Sequence, residues 1–285
     1  MSKRKEPAQK QFSESSSEDE DTDMLDVDFE WFDPQPAHDF HGLKTLIRQL
    51  FDVDAQLFNM SELTDLILAQ PLLGSTVKVD GNETDPYAFL TVLNLKEHKG
   101  KEVIKALTKY LTQKAKTNPA LKTVADLLES YGQAEVGLIL TEKLVNIPTE
   151  VVPPMYRMLL EEISWAVEDK EPYTFSHYLI LSKTYLEVQS ALNQEGERPQ
   201  KKKKKGSSRE DSKEIFYFHA EDDVLQRHSI AYGGFSYTKE EGDGQADAKR
   251  AFQDLGIKPQ GHMMLLDASE FERAVQAVEN FMQPS

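Results

Sequence analysis

The run from Tyr87 to Leu95 (YAFLTVLNL) is apolar on both faces for part of its length. A strand with that pattern offers no face to water, so it belongs in the middle of a sheet that is covered on both sides. Val136 to Val145 (VGLILTEKLV) reads as a second buried strand. Tyr173 to Val188 (YTFSHYLILSKTYLEV) is aromatic and β-branched, which predicts a long strand with a bulge or bend. Shorter strands are expected at Ser75 to Val79, Ile215 to His219, Ser229 to Tyr237 and His262 to Leu266. An alternating stretch before Asp33-Pro34 places Val27, Phe29 and Trp31 on one face.

Amphipathic segments separate these strands. Asp39 caps a predicted helix to about Asp52, with Leu43, Leu46, Ile47 and Leu50 as its apolar stripe. Ser61 caps a second, to Gln70, which Pro71 closes. Further helices are expected over Gly100 to Lys116, Pro119 to Tyr131 (ended by Gly132), Met155 to Val167 after Pro153-Pro154, and Ala220 to Gln226. Ser269 caps the last one, with Phe271, Ala274, Val275, Val278 and Phe281 on one face. Strands alternating with helices predict one mixed α/β domain, a central sheet with helices on both sides. It should span residues 25 to 285. A disordered acidic, Ser-rich tail (1 to 24) and a disordered Lys-rich insert at about 193 to 213 lie outside its core.

The composition excludes several chemistries. The chain has 285 residues and no cysteine, so disulfides, thiol catalysis and zinc ribbons are out of reach. A formal net charge of −16 opposes direct nucleic-acid binding and favours basic protein partners. No apolar run is long enough to span a membrane. MSKRKEPAQK lacks the apolar segment of a secretory signal, so a soluble cytoplasmic or nuclear protein, most simply a monomer, is expected.

Motifs for catalysis are missing. There is no phosphate-cradling glycine loop, no dinucleotide fingerprint and no nucleophile elbow. Gly233-Gly234 reads as a bulge or tight turn, and His177 as a satisfied core histidine. His38 and His41 lack companion ligands. His219 and His228 bracket Glu221-Asp222-Asp223, whose plain role is a first helical turn matched to the helix dipole. Glu161 and Glu162 are adjacent on a helix, point about 100° apart, and read as a solvated face. Gln253 to Lys258 (QDLGIK) is similar to the start of an acetyl-CoA pyrophosphate loop, but Lys258 stands where Gly or Ala is required and a strand follows. No catalytic, cofactor-binding or metal-binding residue is assigned, and no cofactor is expected.

Two charge runs remain. Ser13 to Asp33 contains no Lys or Arg. It is either a solubilising tail or a decoy that competes with RNA for a basic protein, with Glu18, Asp19, Glu20, Asp21 and Asp23 as candidate client contacts. Ser15, Ser16 and Ser17 each have an acidic residue three positions on, the pattern of an acidophilic kinase site. Phosphate there would add about −1.5 to −2 charges per serine. Lys201, Lys202, Lys203, Lys204 and Lys205 are either a solvated linker or a nuclear localisation signal, with Lys3-Arg4-Lys5 as a weaker second candidate.

The phrases VDFEWFDP (27 to 34), DFHGLKTLIRQLF (39 to 51), LLGSTVKVDG (72 to 81), PPMYRMLLEEI (153 to 163) and IFYFHAEDDVLQRHSIAY (215 to 232) resemble the BCCIP family. The resemblance runs from about Asp26 to the last helix, and the lysine linker is similar to the variable insert of a fungal member. It implies an acetyltransferase-like (GNAT-like) fold without the catalytic site. It also implies a non-enzymatic nuclear chaperone or transport adaptor, shuttling to the cytoplasm. The implied client is a basic large-subunit ribosomal protein, in support of 60S ribosome biogenesis and nuclear export. A phosphatidylinositol-phosphate kinase and nuclear transport factors are further implied partners. The alternatives are an acetyl-CoA-dependent acetyltransferase and, by analogy with animal members, a cell-cycle or DNA-repair scaffold.

Overall fold

The structure is a computed structural model that describes residues 27–70, 73–130, 134–187, 215–238 and 257–283. Eight strands form one mixed sheet: β1 (Glu30–Phe32), β2 (Ser75–Lys78), β3 (Ala88–Asn94), β4 (Val136–Lys143), β5 (His177–Glu187), β6 (Ile215–Tyr217), β7 (Ala231–Phe235) and β8 (Ile257–Asp267). The order is β1-β2-β3-β4-β5-β8-β7, with β6 also on β5. Among the described residues, only β4 and β5 are parallel. Parallel neighbours need a crossover, and α5 (Val152–Glu168) supplies it. The other helices are α1 (Phe40–Phe51), α2 (Met60–Leu68), α3 (Glu102–Ala115), α4 (Lys122–Glu129), α6 (Glu221–Arg227) and α7 (Ala268–Met282).

The central strands alternate between two cores, as a period of two requires. Leu138 and Leu140 of β4, Leu179 and Leu181 of β5, and Met263 and Leu265 of β8 pack under α1, α2, α3 and α4. Ile139, Tyr178, Ile180, Met264 and Leu266 face α5, α6 and α7 on the other side. The result is a single α/β domain whose central sheet is flanked by helices on both faces, as the doubly apolar strands demand. None of the helices among the described residues is long and apolar enough to cross a membrane.

Several local expectations change. Asn59, not Ser61, caps α2, its side chain accepting from the Glu62 amide at 3.3 Å; the Ser61 hydroxyl takes up Lys44 instead (2.8 Å). Asp267, not Ser269, caps α7, because the chain passes from β8 into that helix without a turn residue. Asp39 occupies the α1 cap position, but its carboxylate accepts from the Gln35 amide (2.6 Å) rather than from the helix. The predicted bulge in β5 is absent: all its residues from His177 to Glu187 pair in register with β8. Tyr173 and Phe175 precede the strand and are buried beside it. β8 starts five residues before His262, since pairing with β5 outweighs its polar first half. Gly233 and Gly234 sit in regular ladder pairs with Met263 and His262 rather than in a bulge or turn. A Cβ on Gly233 would lie 2.6 Å from Asn118 Nδ2, so the glycine makes room for that side chain, which bonds the Gly234 carbonyl (2.9 Å). Val27 and Phe281, each grouped with an apolar face, are exposed.

Candidate functional site

The parallel ladder between β4 and β5 runs from Val136↔His177 to Leu140↔Leu181 and then stops. Beyond it β4 stays with β3, while β6 takes over the β5 edge at Thr184↔Tyr217. Side chains fill the resulting fork. On the α1 side, Lys183 Nζ meets Glu142 at 2.6 Å and donates to the Gln49 carbonyl at 3.1 Å. Gln49 Nε2 donates to Glu142 at 3.2 Å, and His219 Nε2 lies 3.2 Å from the same carboxylate. On the α6 side, Lys143 Nζ donates to both Glu221 oxygens at 2.9 Å, and the Ser182 hydroxyl donates to Asp222. Strand alternation decides these sides: Glu142 and Lys183 point with Leu140 and Leu181, while Lys143 and Ser182 point with Ile139 and Ile180.

The fork is dry. Glu142 is 1% exposed, His219 4%, Glu221 2% and Asp222 0%. Burial opposes ionisation of Glu142, but His219 and Lys183 outweigh it and hold the carboxyl below its usual range. Burial likewise opposes charge on His219, but Glu142, then Glu221 and Asp222, raise its pKa above the ordinary value. Asp222 is pushed up to about 7 by burial and by Glu221, against the pull of His219, Ser182 and Lys143. The carboxylate–histidine pair is sealed from solvent. What it does is neutralise charge and tie β4, β5 and the β6–α6 connection together where backbone pairing ends.

The residues singled out in the sequence are dispersed. His38 and His41 are exposed, and His177 is half-buried at the start of β5, bonded to Ser176 rather than enclosed in the core. His228 stands apart from His219 at the far end of α6. No group of His, Asp or Glu among the described residues is placed to hold a metal ion. Glu161 is exposed, but Glu162 is not on a solvated face: it is 7% exposed and accepts from the Gly74 amide at 2.7 Å. Burial, then Asp33 and Glu161, raise its pKa to about 7 against that hydrogen bond. Of the QDLGIK stretch, Ile257 and Lys258 are strand, and 253–256 lie outside the described residues. So do Ser15, Ser16, Ser17, Glu18, Asp19, Glu20, Asp21, Asp23 and Lys201 to Lys205, with Pro71 and Gly132. The fork was missed, though it left a signal: Glu142, Lys143 and Lys183 are charges inside otherwise apolar strand runs.

Comparison with known proteins decides the family. The sequence model of the BCCIP family matches residues 24–225. The chain belongs to the BCCIP family. Protein bcp1 of Aspergillus fumigatus is 62% identical over 271 residues, which cover 95% of this chain and 92% of that relative. Protein bcp1 of Schizosaccharomyces pombe is 49% identical, covering 90% and 89%. The crystal structure of BCP1 from Saccharomyces cerevisiae superposes with a TM-score of 0.62 at 27% identity, over 93% of this chain and 94% of that one. These names carry no enzymatic activity. Two of the phrases on which the sequence resemblance rests meet in space: β1, within VDFEWFDP, pairs with β2, within LLGSTVKVDG.

Proposed function

We propose that this BCCIP-family protein is a non-enzymatic chaperone or transport adaptor for a basic client, a large-subunit ribosomal protein. In that role it supports 60S ribosome biogenesis and nuclear export. The carrying observation is the run from Ser13 to Asp33, free of Lys and Arg, in a chain of net charge −16. Long-range attraction speeds capture of a basic surface, and contacts on the domain then choose which one. The burial and mutual pairing of the fork support a non-enzymatic reading. The strand at Ile257–Lys258, where an acetyl-CoA loop would need a helix start, supports an acetyltransferase-like fold without the cofactor site. A nuclear address at Lys201 to Lys205, kinase and transport-factor partners, and a monomeric state complete the reading.

Deleting residues 1 to 24 and titrating the ribosomal client against salt tests it. The expected result is weaker binding and a shallower salt slope. An unchanged affinity and slope would reduce the acidic run to a solubiliser. Neutral replacement of Lys201 to Lys205 should move the protein out of the nucleus, and an unchanged distribution removes that address.

A further inference from the structure

Lys44 and Arg48 stand one turn apart on α1 and help to wall a groove of about 470 Å³ between α1, the turn at Asp52–Leu57 and the start of α2. Phe58 and Met60 contribute apolar wall, and Asp52 a carboxylate. Lys44 reaches the Ser61 hydroxyl at 2.8 Å. Arg48 is exposed and forms no ion pair or hydrogen bond among the described residues. In a chain this acidic, a free guanidinium beside an ammonium over an open groove attracts an anionic segment.

We propose that this groove is the docking site of the chain's own acidic leader, Ser13 to Asp26. Charge complementarity is the first argument, and reach is the second. The leader joins the fold at Val27, β1 follows, and Glu30 pairs with Lys78. Lys78 contacts Asp39, which opens α1. From strand and helix rises and the length of a lysine, that path to Arg48 is at most roughly 40 Å. Fully extended, Ser15 to Val27 also spans up to about 40 Å, so the serine end of the leader reaches the groove while the acidic residues after it lie along the tether. Tethering gives the leader an effective concentration on the order of millimolar. Phosphate on Ser15, Ser16 or Ser17 would offer Arg48 a bidentate partner and tighten the hold. A leader held in this way is shielded until a basic surface competes for it.

The absence of cysteine allows a clean test in the full chain without any client. A nitroxide on Ser13→Cys, at the end of the leader that reaches the groove, should broaden amide signals around Arg48 and Phe58 at low salt. The effect should disappear with Arg48→Glu, with Lys44→Glu/Arg48→Glu, and at about 500 mM salt, where screening is nearly complete. It should grow after phosphorylation of the serines. Arg48→Gln, neutral and at an exposed position, separates loss of charge from loss of fold and should give an intermediate effect. Broadening that ignores these substitutions, or that is spread evenly over the surface, overturns the proposal. So does broadening that scales with protein concentration, which would seat the leader of a second copy there. Because no client is present, failure here leaves the client reading untouched, and failure of client binding leaves this docking untouched.

Discussion

Lys78 and Asp39 form an ion pair of 2.6 Å in which neither side chain is exposed to solvent. Lys78 also donates to the Asn82 carbonyl (2.6 Å) and side chain (2.8 Å), and its ammonium lies 5.6 Å from the Phe32 ring. Asp39 accepts from the Gln35 amide. One buried pair therefore joins β1, β2 and the start of α1. Such a pair is costly to break because the survivor is left charged and unpaired. Lys78→Ala should cost about 3–5 kcal/mol, and Asp39→Ala a similar amount. Lys78→Ala with Asp39→Ala should cost less than the two single changes added. Urea denaturation of the four-protein cycle reads this directly, and additive costs would show that the two residues act separately.

Glu162 makes stability depend on pH. Its folded pKa of about 7 lies above the ordinary 4.5. The fold therefore favours the protonated form, and that contribution is complete below about 4.5 and lost as pH rises through about 7. Glu162→Gln keeps an acceptor for the Gly74 amide without the charge. At pH 8 it should raise Tm by about 2–4 °C, the equivalent of roughly 1 kcal/mol after discounting residual solvent contact. At pH 4 it should change little. Thermal scans across this range check it; a variant as pH-sensitive as the parent would contradict the assignment.

The fork has a pH window of its own. The raised pKa of His219 and the value of about 7 for Asp222 both mean stability lost as pH rises, the first through its folded pKa, the second through about 7. Glu142, held low, acts in the opposite sense and loses its contribution on acidification. Glu142→Gln should lower the His219 pKa, seen by NMR titration of the ring, and destabilise by about 3–5 kcal/mol because Lys183 and His219 lose their carboxylate. An unmoved His219 titration would refute the pairing.

Gly74 is a backbone requirement. Its φ is +103°, and an added Cβ would lie 2.5 Å from the Leu90 carbonyl oxygen. Gly74→Ala should cost about 1–3 kcal/mol and enlarge the Glu162 pH dependence, because displacing the amide removes the hydrogen bond that holds its pKa down. Denaturation at pH 5 and pH 8 separates the two effects.

Local pattern carried far in this chain. Leu43, Leu46, Ile47 and Leu50 of α1 are buried as their spacing predicted, and all of Ala88–Asn94 is buried as its apolar faces required. Errors concentrate where a side chain has two uses. Ser61 and Asp39 have the chemistry of caps, but Lys44 claims one and Lys78 the other. Glu162 reads with Glu161 as a solvated face because adjacent helix positions form no carboxylate pair; its partner, the Gly74 amide, lies 88 residues away.

By itself the sequence determined the strands and helices, the two-sided burial of the sheet and the acidic charge of the chain. Each follows from periodicity or composition read over a few residues. Only the tertiary structure decided the strand order, the point where β4 parts from β5, and which buried charges meet. Those depend on partners far apart in the chain, such as Lys143 and Glu221, separated by 78 residues. A period of two or of 3.6 places a side chain on a face, but it does not say what lies opposite.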